Sequence, residues 1–384
     1  GQEEKKAKAV IYLYMNGAMS QLDTFDPKPE SDVQGETGVI QTKIPGVQLA
    51  EHFSGLASQM DHLAIVRSMY TETGVHENGE YLMKTNYKKI ATTAHPGLGP
   101  WMHKLAPAPP RDIPPSVCLG QGVGSGFLGA NFAPLPVGDP KLGLQNTKSP
   151  GYLSEKNFRK RMTLSRNFDK KFRSKARNSE LVNGYDDIYR DAMRLLKSDD
   201  LKAFDLKMEK ETTREAYGKN KFGDGCLLAR RLVQKGVRFV EVNFGSWDMH
   251  NYLFRDLPAK AAELDKGVTA LLKDLQDRRL LDDVLVVIGT EFGRKPNVNQ
   301  NYGRDHHPSA FSCVLAGAGI KTGQVYGATD DESANVDEDE VSVQDFYATI
   351  ASALGLPLDK EIVSPDGRPF TIANGGAPVK ELLL

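Results

Sequence analysis

The feature that most constrains this chain is a strand, helix, strand succession in its C-terminal third. Residues 237–244 are rich in β-formers and read as a strand. Residues 257–281 place Ala261, Leu264, Val268, Leu271, Leu272 and Leu275 on one stripe, the mark of an amphipathic helix. Asp282 and Asp283 break it, and 284–290 is a continuous apolar run, as expected for a strand covered on both faces. Such a crossover joins parallel strands of one sheet and is almost always right-handed. Residues 9–15, 63–66 and 310–316 read as further strands, so the chain predicts an α/β fold with a parallel sheet.

Composition narrows the function. With 49 Lys and Arg against 50 Asp and Glu, the net charge of −1 excludes a nucleic-acid binder that works by bulk charge. The basic stretch 156–177, ten cations against Asp169 alone, reads as a solvated helical face. No run reaches the roughly 18 apolar residues of a membrane helix, so no membrane insertion is expected. Cys118, Cys226 and Cys313 match no zinc knuckle and read as small core residues. The glycine run 120–126 lacks a Walker lysine and reads as a tight connection rather than a phosphate cradle. The seven acids of 330–340 read as a solvated loop.

In open α/β sheets ligands bind beyond the carboxyl ends of the strands. The segments that follow the strands carry Asn16–Asp23 with Ser20, Thr71–Asn78 with His76, Trp247–Asn251 with Asp248 and His250, Glu291–Arg294, and Gly303–His307. Four of the eight histidines fall there, beside carboxylates. Asp248 and His250, at i and i+2, point the same way in an extended loop. Imidazole with carboxylate suits a divalent transition metal. The candidate metal ligands are Asp248, His250, Glu291, Asp305 and His306. The remaining reactive side chains on these segments are His76, Ser20, Arg294 and Arg304.

The stretch from Asn16 to Pro29 (NGAMSQLDTFDPKP), together with Glu291-Phe292-Gly293-Arg294, Gly303-Arg304-Asp305-His306 and Leu227–Leu232 leading to Trp247-Asp248-Met249-His250, resembles the bacterial domain-of-unknown-function family 1501. That family is grouped with the alkaline phosphatase and sulfatase superfamily. The resemblance implies a three-layer α/β/α sandwich with a central mostly parallel sheet, in one domain over 8–372 with a Gly/Pro-rich insertion around 96–150. It implies a metal-dependent hydrolase of sulfate or phosphate esters, acting on a small-molecule or glycan ester, and export to the periplasm or cell exterior. The candidate catalytic residues are then His76, as general base or alternatively nucleophile, with Ser20, and Arg294 or Arg304 to neutralise the anion. The divalent ion expected is zinc, with manganese or calcium as alternatives. Three places depart from the superfamily pattern. Asn16 stands where a metal-binding Asp is usual, His76 stands where the nucleophile is usual, and Phe292 replaces a histidine. A binding protein that keeps the fold without turnover therefore remains the competing expectation.

Overall fold

In the computed structural model, residues 6–145 (apart from 108 and 110) and 194–384 are described, with a few positions between 154 and 164. Most of the basic stretch 156–177 lies outside the described residues. The central sheet takes strands from both ends of the chain: β1 (Ala9–Tyr14), β2 (Leu63–Tyr70), β3 (Ser116–Leu119), β4 (Leu135–Val137), β5 (Phe239–Asn243), β6 (Val284–Gly289), β7 (Phe311–Gly317), β8 (Gln324–Tyr326) and β9 (Val341–Ser342). Their order is β8-β2-β7-β6-β1-β5-β3-β4, with β9 also on β2. Strand β7 is antiparallel to both neighbours, and every other pairing is parallel. The sheet is thus mostly parallel, as expected.

Strand β1 sits at the centre, paired to β5 and β6, which explains why its residues are buried without exception. Its side chains alternate between two cores, as a pleated strand requires. Ile11 and Leu13 face Leu227, Leu228 and Leu232 of α3 (Lys221–Gln234) and Leu264, Val268 and Leu271 of α4 (Leu253–Asp277). Val10, Tyr12 and Tyr14 face α1 (His76–Thr85), α2 (Leu98–Leu105) and α5 (Val343–Ala353). Helices on both faces give three layers. The anticipated crossover is β5-α4-β6, and it passes over β1 rather than joining adjacent strands. The helix runs Leu253–Asp277 rather than 257–281, and it carries Pro258 inside it, in its second turn, where Pro leaves the Phe254 carbonyl without its i+4 donor. The segment around 96–150 does more than connect elements: α2, β3 and β4 come from it, and β4 forms one edge of the sheet. Its Gly and Pro content hid these short strands. All three cysteines are buried and unbridged.

Register carries the fold to the site. Tyr14 lies opposite Asn243 on one side and Gly289 on the other. The segments that begin after these three residues therefore leave the sheet at one level, which brings 15–24, 244–252 and 290–294 together.

Candidate functional site

Three histidines and one aspartate meet beyond the strand ends. His76 is the first residue of α1, His250 lies in the loop after β5, and His306 lies in a two-residue strand paired with Gly293–Arg294. Asp248 is at the centre. Its Oδ1 lies 3.1 Å from His250 Nε2 and 3.3 Å from His306 Nε2, and its Oδ2 lies 3.3 Å from His76 Nε2. His76, Asp248 and His306 each offer a ligand atom, and those atoms all fall within 4.8 Å of one another.

Each imidazole is held through its other nitrogen. His76 Nδ1 is 2.8 Å from Glu291 Oε1, His250 Nδ1 is 3.0 Å from Asp305 Oδ1, and His306 Nδ1 is 2.7 Å from the Gly74 carbonyl. Carboxylates and carbonyls only accept, so all three Nδ1 atoms carry the proton and all three Nε2 atoms carry lone pairs when the rings are neutral. Yet His250 Nε2 and His306 Nε2 stand 2.9 Å apart, with no proton to share in that state. His76 Nε2 is buried and has no hydrogen-bond partner. Each outer partner fixes its ring's tautomer and aims it, an arrangement also found behind histidines that bind metals. His76, Asp248 and His306 fit a divalent transition ion, and His250 Nε2, 3.4 Å from Arg294 Nη1, adjoins them.

Hydrogen-bond partners separate the carboxylate at the centre from those behind the rings. Glu291 is fully buried, and besides His76 its carboxylate accepts from Gly17 N at 2.8 Å and Tyr14 Oη at 3.1 Å. With its oxygens so engaged, Glu291 orients His76 rather than joining the cluster. Asp305 is likewise turned to His250 Nδ1 and to Asn299 Nδ2, 3.1 Å away. Glu291 and Asp305, both expected as ligands, each face an imidazole Nδ1 here.

Arg294 is buried and donates to Asp248 Oδ1 at 2.6 Å, to the carbonyls of Gly17, Ala18 and Arg304, and lies 3.4 Å from His250 Nε2. Its five N–H groups are thus engaged, so the free guanidinium fork expected for an anion is not there; Arg294 positions Asp248. Ser20 donates to Asp23 Oδ2, and Arg304 donates to the same carboxylate and to the carbonyls of Val33, Gln34 and Pro296. Both are buried, and among the described residues no hydrogen bond or ion pair joins their side chains to the three histidines.

Charge follows geometry. Burial pulls Asp248 upward, but the Arg294 bond and charge, with His76 and His250 beside it, outweigh that and hold its carboxyl at about 2. The bond from Glu291 raises His76 above the usual imidazole range against the opposing effect of burial. Burial lowers His306, helped by the charges of Arg294 and His76 and opposed by the Gly74 carbonyl.

Glycine permits the close approaches. A Cβ on Gly17, at φ +114°, would lie 2.5 Å from the Asp248 backbone nitrogen, and one on Gly303 would lie 2.1 Å from the His250 carbonyl carbon. The role of Glu291 as a support was not readable from sequence. Its one signal was its place two residues beyond β6, where a buried carboxylate demands a cationic or donor partner.

The family model described as "Protein of unknown function (DUF1501)" matches residues 7–383. No curated protein matches the sequence. Among solved structures, Ps i-CgsB is 10% identical at TM-score 0.44, over 97% of this chain and 75% of that one; a second structure of it is in complex with k-i-k-neocarrahexaose. The PsFucS1 sulfatase from Pseudoalteromonas sp. is 14% identical at TM-score 0.37, over 91% of this chain and 68% of that one. Alkaline phosphatase from the Antarctic bacterium TAB5 is 10% identical at TM-score 0.40, over 91% and 99%. At such values the likenesses assign no residue a role.

Proposed function

The chain belongs to the DUF1501 family, and from the geometry of its histidine cluster we propose that it is a metal-dependent hydrolase of sulfate or phosphate esters. The observation that carries this reading is the convergence of His76, His250 and His306 through Nε2 on Asp248, each ring held from behind by an acceptor. These four residues would hold one ion, with zinc the first expectation and manganese next. Three neutral imidazoles and a carboxylate leave little place for calcium, which prefers an all-oxygen shell. When bound, the ion supplies Lewis acidity toward an ester oxygen.

The chain's own residues supply the rest. Arg294 keeps Asp248 ionised and aimed, so the carboxylate is ready to bind at neutral pH. Glu291, Asp305 and the Gly74 carbonyl keep the Nδ1 protons in place and so keep the Nε2 lone pairs available. His76 serves as a ligand in this arrangement, which replaces its expected role as general base. Export, the setting that the family resemblance implies, belongs to the same reading. Among the described residues no helix is long and apolar enough to cross a membrane.

A second reading, binding without turnover, is favoured by one specific observation: Arg294 and Arg304 both spend their donors on protein groups. One experiment separates the two. Protein purified without chelators is assayed for metal content and for turnover of aryl sulfates and aryl phosphates. About one ion per chain with turnover that EDTA removes supports the hydrolase. One ion per chain with no turnover on either ester class supports the binder. No ion after supplementation with zinc and manganese rejects the centre.

A further inference from the structure

A cavity of about 330 Å³ opens at the carboxyl ends of β1, β5 and β3. It adjoins the histidine cluster through two connections. Asn16, on its wall, precedes Gly17, whose backbone holds Glu291 and Arg294. Glu80, also on its wall, follows His76 by four residues on α1, hence on the same helical face one turn along.

Part of the wall is fixed in advance. Buried Lys84 donates to Glu80 Oε1 at 2.8 Å and Asn243 Oδ1 at 2.7 Å, and lies 2.9 Å from Glu241 Oε1. Glu80 and Asn243 are thereby locked in position, as a binding wall requires. The remaining polar groups are unspent: the carboxamides of Asn16 and Gln121 and the ammonium of Lys221 make no hydrogen bond or ion pair among the described residues. Leu119, Pro140 and Val242 add a small apolar surface, and among the described residues no aromatic ring lines the cavity. The volume is at the lower end of the roughly 300–1,000 Å³ of ligand sites.

We propose that this cavity seats a single hydroxyl-rich ring of hexose size that carries an anionic substituent, the alcohol portion of the ester cleaved at the neighbouring cluster. Carboxamides both give and take hydrogen bonds with hydroxyls, a carboxylate accepts them, and the small apolar surface meets the C–H face of the ring. Lys221 selects the anionic substituent. A nucleoside is disfavoured because its base would find no stacking partner. The substrate class rests on the hydrolase reading, but occupancy of the cavity by the ring does not.

The test is calorimetric titration of the full chain with hexose monosulfates, uronic acids and neutral hexoses, both zinc-loaded and after EDTA, alongside a separate zinc titration. Hexose monosulfates or uronic acids should bind in both states. Lys221→Met should weaken them about tenfold or more, the scale of one charge-assisted contact, while leaving neutral hexoses unaffected. Gln121→Trp, which fills the cavity from an exposed position, should abolish ring binding and leave the zinc isotherm unchanged. Absence of ring binding to the wild-type chain overturns the proposal, as does equal binding by wild type and Gln121→Trp. Loss of the zinc isotherm alone would instead reject the metal centre and leave the cavity standing.

Discussion

Two charged networks lie beyond the same strand ends, built to opposite plans. Around Arg304 everything is closed. Asp23 and Arg304 both have fully buried side chains, Ser20 and Thr37 donate to Asp23, and the remaining guanidinium donors reach backbone carbonyls. Around Asp248 the carboxylate is 44% exposed, and three imidazoles turn lone pairs toward it. Sequence composition is similar in the two, an Arg with an Asp and polar neighbours. What separates them is satisfaction: a network with every donor and acceptor matched has nothing left to offer a ligand, and one whose orienting bonds leave lone pairs opposed does.

The largest effect should come from the closed network. Arg304→Ala leaves the Asp23 carboxylate buried without its cation, which typically costs about 3–5 kcal/mol. Urea unfolding should show that loss, with zinc affinity of the folded protein near wild type. A loss below about 1 kcal/mol would mean the network is not the structural element its burial indicates. The next largest should come from the open cluster, in affinity rather than stability. Structural zinc sites bind with about 10–16 kcal/mol spread over four ligands, so one ligand is worth roughly 3 kcal/mol, or a factor of about 100. His250→Ala should weaken zinc by about that factor, read by competition with a chromophoric chelator. Metal-free unfolding stability should not fall, because the variant also removes the lone-pair opposition with His306. A metal-free protein clearly destabilised by His250→Ala would show that the cluster is structural after all.

The same contrast explains what sequence could and could not reveal. The strands and the crossover were legible because hydrophobic periodicity reports burial directly, and β1 and β6 are buried along their whole length. Strands β3 and β4 were not, since short edge elements among Gly and Pro leave almost no periodic signal. The convergence of His250, Asp248 and His306 followed from the rule that sites gather at strand ends. Which carboxylate binds and which supports did not follow. Glu291 and Asp248 differ in burial and partners, and those depend on Gly17 and Tyr14, about 275 residues away in sequence from Glu291. Arg294 and Arg304 lie ten residues apart in one motif region, yet their different engagements are set by loops from the first 35 residues.

The supports should matter less than the ligands, and the buried one more than the exposed one. Glu291→Gln keeps the shape but removes the charge behind His76. Changes to such outer partners typically cost 10–100-fold in metal affinity. A pH signature accompanies this loss. Zinc needs the His76 Nε2 lone pair, and Glu291 raises the pKa of that ring, so wild-type affinity should fall as pH drops through the raised value. In Glu291→Gln the ring returns toward its ordinary value and proton competition begins at lower pH. The variant should therefore be weaker at about pH 8, with the difference narrowing toward about pH 6. Zinc titrations at both pH values would show it, and a difference that widens at low pH would contradict the assigned support.

Asp305→Asn should have the smallest effect. Asp305 holds His250 Nδ1 as Glu291 holds His76 Nδ1, but its side chain is 48% exposed where that of Glu291 is fully buried. Solvent screens an exposed charge, and Asn retains an oxygen that can accept the Nδ1 proton. Zinc affinity should therefore fall less than about tenfold, below the range expected for a buried outer partner. Adding about 0.5 M salt should shrink the Asp305→Asn effect further, because exposed charges are screened beyond a few ångströms at that strength, while the Glu291→Gln effect persists. If Asp305→Asn proved the more damaging of the two, burial would not be what ranks the supports. The cluster would then have to be drawn with Asp305 as a direct ligand.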